Sequence, residues 1–204
     1  MDKPDKIIFL SAGIPYIAEG RDPKYFESAD IIAIRDSVRA LATLTVLNNW
    51  QIVWGGQPAI TSLIKHVMET LKDSRLRKAI LCNFKLYQSK FFVKEFPKEN
   101  TYFEQIVLTE NIDGNKDRSL EEMRTRMLED NTFSVAIFIG GMNGIEDEFE
   151  IFKKNHPSVP TYPIASTGGG ALELFMKFEK CYDFPEILRT EYAYMDLFKN
   201  LIIK

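Results

Sequence analysis

Along this chain, short runs of consecutive apolar residues alternate with longer stretches whose apolar positions return every three or four residues. The first kind predicts buried strands and the second amphipathic helices. Lys6–Ala12 (KIIFLSA) reads as the first strand. A helix from about Ser28 to Asn48 follows, with Ile31, Ile34, Val38, Leu41, Ala42, Thr45 and Val46 at helical spacing. Gln51–Gly56 (QIVWGG) is the second strand and runs into a helix near Pro58. Proline suits a first turn because its missing N–H is not needed there. KAILCNF, ending at Phe84, reads as the third strand, and Gln105–Thr109 belongs to the fourth. Between them SKFFVKEFPKEN reads as a short helix that Pro97 ends. Phe133–Gly141 is the fifth and most apolar strand. Val159–Ala165 is the sixth, which its two prolines make an edge or irregular strand. Helices follow each of the last three strands. For the first of these, Ser119 three residues before Glu122 predicts a capping box. A last helix spans about Thr190–Leu201.

Regular alternation of this kind predicts an α/β fold: a Rossmann-like, open, mostly parallel sheet with helices on both faces. The expected organisation is one domain over residues 1–204, with a C-terminal helical extension from about residue 183. A chain of this length can bury a core without disulfides or metals.

Charge narrows the partners. With 26 basic and 29 acidic side chains the net charge is -3, whereas nucleic-acid binders usually carry a basic excess. The cluster Lys72–Lys78 (KDSRLRK) reads as a solvated helix end. No nucleic acid is expected. Cys82 and Cys181 are distant and lack ligand-like neighbours, so no metal and no disulfide are expected. Cys82 reads as a small buried apolar residue of the third strand. MDKPDK does not resemble a signal peptide, and no apolar run approaches the ~18 residues of a membrane span. The expected location is cytoplasmic, away from membranes.

Three segments repeat one arrangement of apolar strand, glycines and helix start: WGGQPAI (Trp54–Ile60), IGGMNGIEDE (Ile139–Glu148) and STGGGA (Ser166–Ala171). Glycine permits positive φ and puts no Cβ between backbone and ligand. The N–H groups at a helix start then favour an anion. In a parallel sheet all three loops share the edge where ligands bind. Each turn alone equally suits a tight strand-to-helix connection. The GxGxxG, GxxxxGK[ST] and GxSxG patterns are absent, which disfavours nicotinamide dinucleotide sites, P-loop ATPases and serine hydrolases. No cofactor is expected.

The candidate ligand contacts are Ser11 and Ala12 at the first strand's end, Gly55, Gly56 and Gln57, then Gly140, Gly141, Met142 and Gly144, and Thr167, Gly168 and Gly169. Arg35, near the start of the first long helix, is a candidate phosphate clamp, with an ion pair to a neighbouring acid as the alternative. Glu148 is a candidate for a ribose hydroxyl or for stabilising positive charge at a sugar carbon. His66 and His156 read as surface or packing residues, and Tyr192 and Tyr194 as packing residues or ligand flanks.

IFLSAGIP, WGGQPAIT and FIGGMNGIEDEFEIF together resemble the SLOG superfamily over roughly residues 6–180. The closest likeness is to its prokaryotic, defence-associated branch, similar to the C-terminal sensor domain of the Thoeris NADase. That resemblance implies binding or sensing of a small nucleotide-derived ligand, ADP-ribose-like or cyclic ADP-ribose-like. It admits a separate effector protein and a homo-oligomer as partners. Members of the superfamily's LOG branch instead cleave nucleotide N-glycosidic bonds with an arginine and the glutamate of PGGxGTxxE. Gly140, Gly141, Gly144 and Glu148 match that motif, and Arg35 is the candidate arginine, so a nucleotide N-glycosidase is the alternative. One extra loop residue, Ile139 in place of the proline and Ile145 in place of the threonine depart from the cleaving pattern. Binding relies on backbone N–H groups and survives those departures.

Overall fold

In the computed structural model, which describes residues 3–71 and 81–203, six strands carry the sheet. They are β1 (Ile7–Gly13), β2 (Gln51–Trp54), β3 (Phe84–Ser89), β4 (Gln105–Thr109), β5 (Val135–Gly140) and β6 (Thr161–Ile164). All pair in parallel, in the order β4-β3-β2-β1-β5-β6. The fold is therefore an α/β, Rossmann-like open sheet. β6 lies at one edge, as its prolines require. The charged run at residues 72–78 and the start of KAILCNF lie outside the described residues.

The period-2 geometry of strands sorts the core into two halves. Ile8, Leu10, Ile52, Trp54, Ile137 and Ile139 face one side, where Ile34, Val38 and Leu41 cover them. Those three belong to α2 (Ile31–Leu47), which follows a single helical turn, α1 (Lys24–Glu27). α3 (Pro58–Thr70) adds Ile60 and Ile64 to the same half. Phe9, Val53, Ala136 and Phe138 face the other side, against α4 (Lys116–Glu129) and α5 (Asn143–Asn155). Phe9 there stacks on Phe152, with ring centroids 5.0 Å apart. His156 packs its ring against Phe133 and Phe152, a structural role.

After β6 come α6 (Gly169–Phe178), α7 (Pro185–Thr190) and α8 (Tyr194–Ile202). Tyr194, Leu197, Phe198 and Ile202 enter the same core half as α2, so the tail is part of the core rather than an appendage.

Three local expectations are corrected. Leu81 and Cys82 are helical and β3 begins only at Phe84, so Cys82 is half-buried outside the sheet. Its strand-like apolar run precedes the strand because short apolar runs do not distinguish helix from strand. The cap of α4 is Asn115, whose side chain accepts from Arg118 N, and Ser119 lies inside the helix. The Ser119 hydroxyl donates to Asn115 O and accepts from Ile112 N, closing the turn before the helix. SKFFVKEFPKEN forms two 3-10 turns, Lys90–Glu95 and Lys98–Tyr102, separated by Pro97. Among the described residues no helix is long and apolar enough to cross a membrane.

Candidate functional site

β1 has β2 on one side and β5 on the other, and the chain leaves β1 and β5 toward opposite faces of the sheet. The crevice between such diverging connections is where open α/β sheets take ligands. The pairing of β1 with β5 runs to Gly13 and Gly140, and Gly141 N then donates to Gly13 O at 2.7 Å. Above this junction lies a cleft of about 680 Å³. Ser11–Ile14, the start of α3, one side of α4 and the start of α5 form its walls.

Glu148 lines it from α5. Ser11, 2% exposed, donates its hydroxyl to Glu148 Oε2 at 2.6 Å. Arg124 Nε reaches Glu148 Oε1 at 3.3 Å, and both side chains are less than one-fifth exposed. Such charge-assisted contacts hold the carboxylate in one orientation. Of the other two acids of IEDE only Asp147 also lines the cleft, because successive helical residues are about 100° apart. Asp147 is exposed, 3.9 Å from Arg124, and Glu146 meets Tyr25.

The loop after β1 is tied back over the start of α5. Arg21 bonds Tyr16 Oη at 3.0 Å and approaches Met142 Sδ at 3.6 Å. Tyr25 donates to Glu146 Oε1 at 2.6 Å. Burial, and then the bond to Glu146, push the Tyr25 phenol up to about 12. A raised phenol stabilises the fold fully below its ordinary value of 10.0, and the contribution is lost as pH climbs through about 12. Tyr25→Phe is therefore expected to cost about 1 kcal/mol near pH 8. Urea titrations at successive pH values should show that gap narrowing between pH 10 and about 12. A gap that stays constant over this window would exclude the contact as its source.

The three glycine loops do different things. The loop after β5 opens α5 at the cleft: Gly141, Met142 and Gly144 line it. No side chain caps α5, so among the described residues none competes for its first N–H groups. Ser11, Ala12, Gln57 and Glu148 line the same cleft. Gly55 and Gly56 line a smaller chamber of about 270 Å³, which shares Gln57 and Glu148 with it.

The loop after β6 lines neither space. Its N–H groups are consumed internally: Gly168 N by Ala165 O, Gly169 N by Ser28 Oγ, and Gly170 N by Gly141 O. Thr167 is fully buried; its hydroxyl accepts from Gly140 N and donates to Ile164 O. Thr167, Gly168, Gly169 and Gly140 thus brace the loop beneath the cleft. Ser166 does the same for the tail, meeting Glu191 O and the Tyr194 hydroxyl, while Tyr192 stays exposed.

Arg35 is exposed on α2 and lines neither space. The arginine brought to Glu148 is Arg124 instead. The sequence held no signal for it, since Lys116, Arg118, Arg124 and Arg126 share one helix and only its rotation against the sheet selects Arg124. Arg21 and Lys116, also on the cleft wall, were equally illegible. Among the described residues no His, Cys, Asp and Glu cluster could hold a metal ion.

A sequence profile described as the SLOG cluster3 family matches residues 24–202. The match takes in the three glycine loops, Arg124 and Glu148, and the chain belongs to that family. No curated protein matches the chain.

Proposed function

We propose, for this member of the SLOG cluster3 family, that the cleft binds a nucleotide-derived ligand by its phosphate and ribose. The observation that carries the reading is the fixed Glu148 carboxylate beside the uncapped start of α5, at the switch point of the sheet. The N–H groups of Asn143 and Gly144, with the helix dipole, favour a phosphate. Arg21, on the same wall, adds a charge-assisted donor. Glu148 then accepts from a ribose hydroxyl.

A cleft of about 680 Å³ with an adjoining chamber of about 270 Å³ suits a ligand of two linked parts. That size supports the ADP-ribose or cyclic ADP-ribose class, and the resemblance of the loop motifs to those of defence-associated sensors supports a signalling role with a separate effector. Calorimetry with ADP-ribose, cyclic ADP-ribose, NAD and AMP is the test, and saturable binding of at least one is expected. Absence of binding by all four would end this reading.

Nucleotide N-glycoside hydrolysis is favoured by one observation, the pairing of Glu148 with Arg124. A carboxylate so held can stabilise positive charge developing at a sugar carbon. Incubation with AMP and chromatography separates the two activities. Base released by the parent and not by Glu148→Gln marks an enzyme, and tight binding without release marks a sensor.

A further inference from the structure

The smaller chamber has a chemistry that the phosphate and ribose contacts do not use. It lies beyond Glu148, roofed by the 3-10 turn Lys90–Glu95 and the residues after it. Phe92, Phe96 and Pro97 form one side, and Leu120 and Met123 another. The chamber also holds Gln88, near the end of β3, a residue only 6% exposed. Gln88 Nε2 donates to Gly56 O at 3.0 Å. Among the described residues Gln88 Oε1 accepts no hydrogen bond, and the second N–H of the amide has no acceptor. Gln88 Oε1 is not sealed in the core like the orphaned amide oxygens of Asn83 and Asn100; it faces the open chamber, where a ligand can reach it.

Gly56 explains how the amide is held. Its φ is 73°, and a Cβ there would lie 1.7 Å from Gln88 Nε2. Only glycine lets the amide lie against the loop, and the bond to Gly56 O fixes which end carries the oxygen. A fixed amide presents one acceptor and one donor side by side. Adenine offers the complement, N6–H₂ and an adjacent ring nitrogen, and Gln pairs with it in two bonds. Nucleobase pockets combine such edge contacts with apolar walls on the ring faces. The volume agrees: about 270 Å³ lies below the ~300 Å³ at which pockets begin to hold whole drug-sized ligands, and suits a single ring system.

We infer that this chamber is the subsite for the ligand's purine base, and that Gln88 reads an adenine edge there. The inference rests on the nucleotide reading of the main cleft. It places the bond between base and sugar alongside Glu148, which lines both spaces.

The test is calorimetry with AMP, GMP, CMP, UMP and ribose 5-phosphate on the parent, Gln88→Leu and Phe92→Ala. The parent should bind AMP at least about tenfold more tightly than ribose 5-phosphate, the scale of one bidentate base contact. CMP and UMP should stay near ribose 5-phosphate. Gln88→Leu should remove most of the AMP advantage and leave ribose 5-phosphate unchanged. Phe92→Ala, at a half-exposed position that does not threaten folding, should weaken AMP about fivefold or more through lost ring contact. If AMP and ribose 5-phosphate bind the parent alike, or both variants weaken the two ligands equally, the base subsite is overturned while the cleft reading stands. If none of the five binds, the base subsite is overturned, and the cleft reading falls with it only when ADP-ribose, cyclic ADP-ribose and NAD also fail to bind.

Discussion

Gly168→Ala is expected to lower the thermal midpoint by roughly 6–12 °C, the equivalent of about 3 kcal/mol in a chain of this size. Gly168 has φ 67° and ψ -157°, a region that only glycine occupies readily. A Cβ there would also sit 1.9 Å from the Ser28 carbonyl oxygen, and backbone cannot step aside as a side chain can. Relief would require moving Ser28, whose hydroxyl accepts from Gly169 N, and with it the entry to α2. Gly114 supplies the control. Its φ is also 67°, yet a Cβ would meet nothing within 4 Å. Gly114→Ala should therefore cost only backbone strain, about 1 kcal/mol. Scanning calorimetry on the two variants isolates the packing component. Equal midpoints would show that the loop after β6 is not held against Ser28.

Glu148→Ala should weaken AMP binding about 10- to 100-fold, since a hydrogen bond to a charged group contributes about 1.5–3 kcal/mol. Inorganic phosphate should respond in the opposite sense. Removing the carboxylate leaves the Arg124 guanidinium, 17% exposed in its side chain, without its closest partner and free to attract an anion. Calorimetry with AMP and with phosphate reads both signs. Weakening of AMP with phosphate unchanged or stronger supports a ribose contact. Equal weakening of both would mean that Glu148 only supports the shape of the cleft, and unchanged AMP affinity would remove it from the site.

Arg124 also shows what the linear chain could not provide. Glu148 was legible because it sits a full turn inside the helix opened by Gly140–Gly144. Its partners come from β1 and α4, 137 and 24 residues away in sequence. Arg35 and Arg124 are equivalent as sequence: each is a cation on an amphipathic helix. The strand order decides between them, because it puts α2 and α4 on opposite faces of the sheet and turns only α4 toward the cleft.

The sequence by itself determined the α/β class, five of the six strands to within a few residues, the helix starts that follow glycines, and that β6 is an edge or irregular strand; the run read as the third strand meets β3 only at Phe84. Those features are local: a side-chain period, a missing N–H or a permitted positive φ acts within one turn or one strand. The tertiary structure alone decided which glycine loops open to a ligand. Gly140, Gly141 and Gly168–Gly170 carry the same local signal as Gly144. Their N–H groups are consumed by Thr167, Gly13, Ala165, Ser28 and Gly141, mostly residues brought beside them by the packing of β1 and of the loops after β5 and β6. Whether a backbone donor is free depends on what lies across from it in space, and in a parallel sheet that neighbour is always far along the chain.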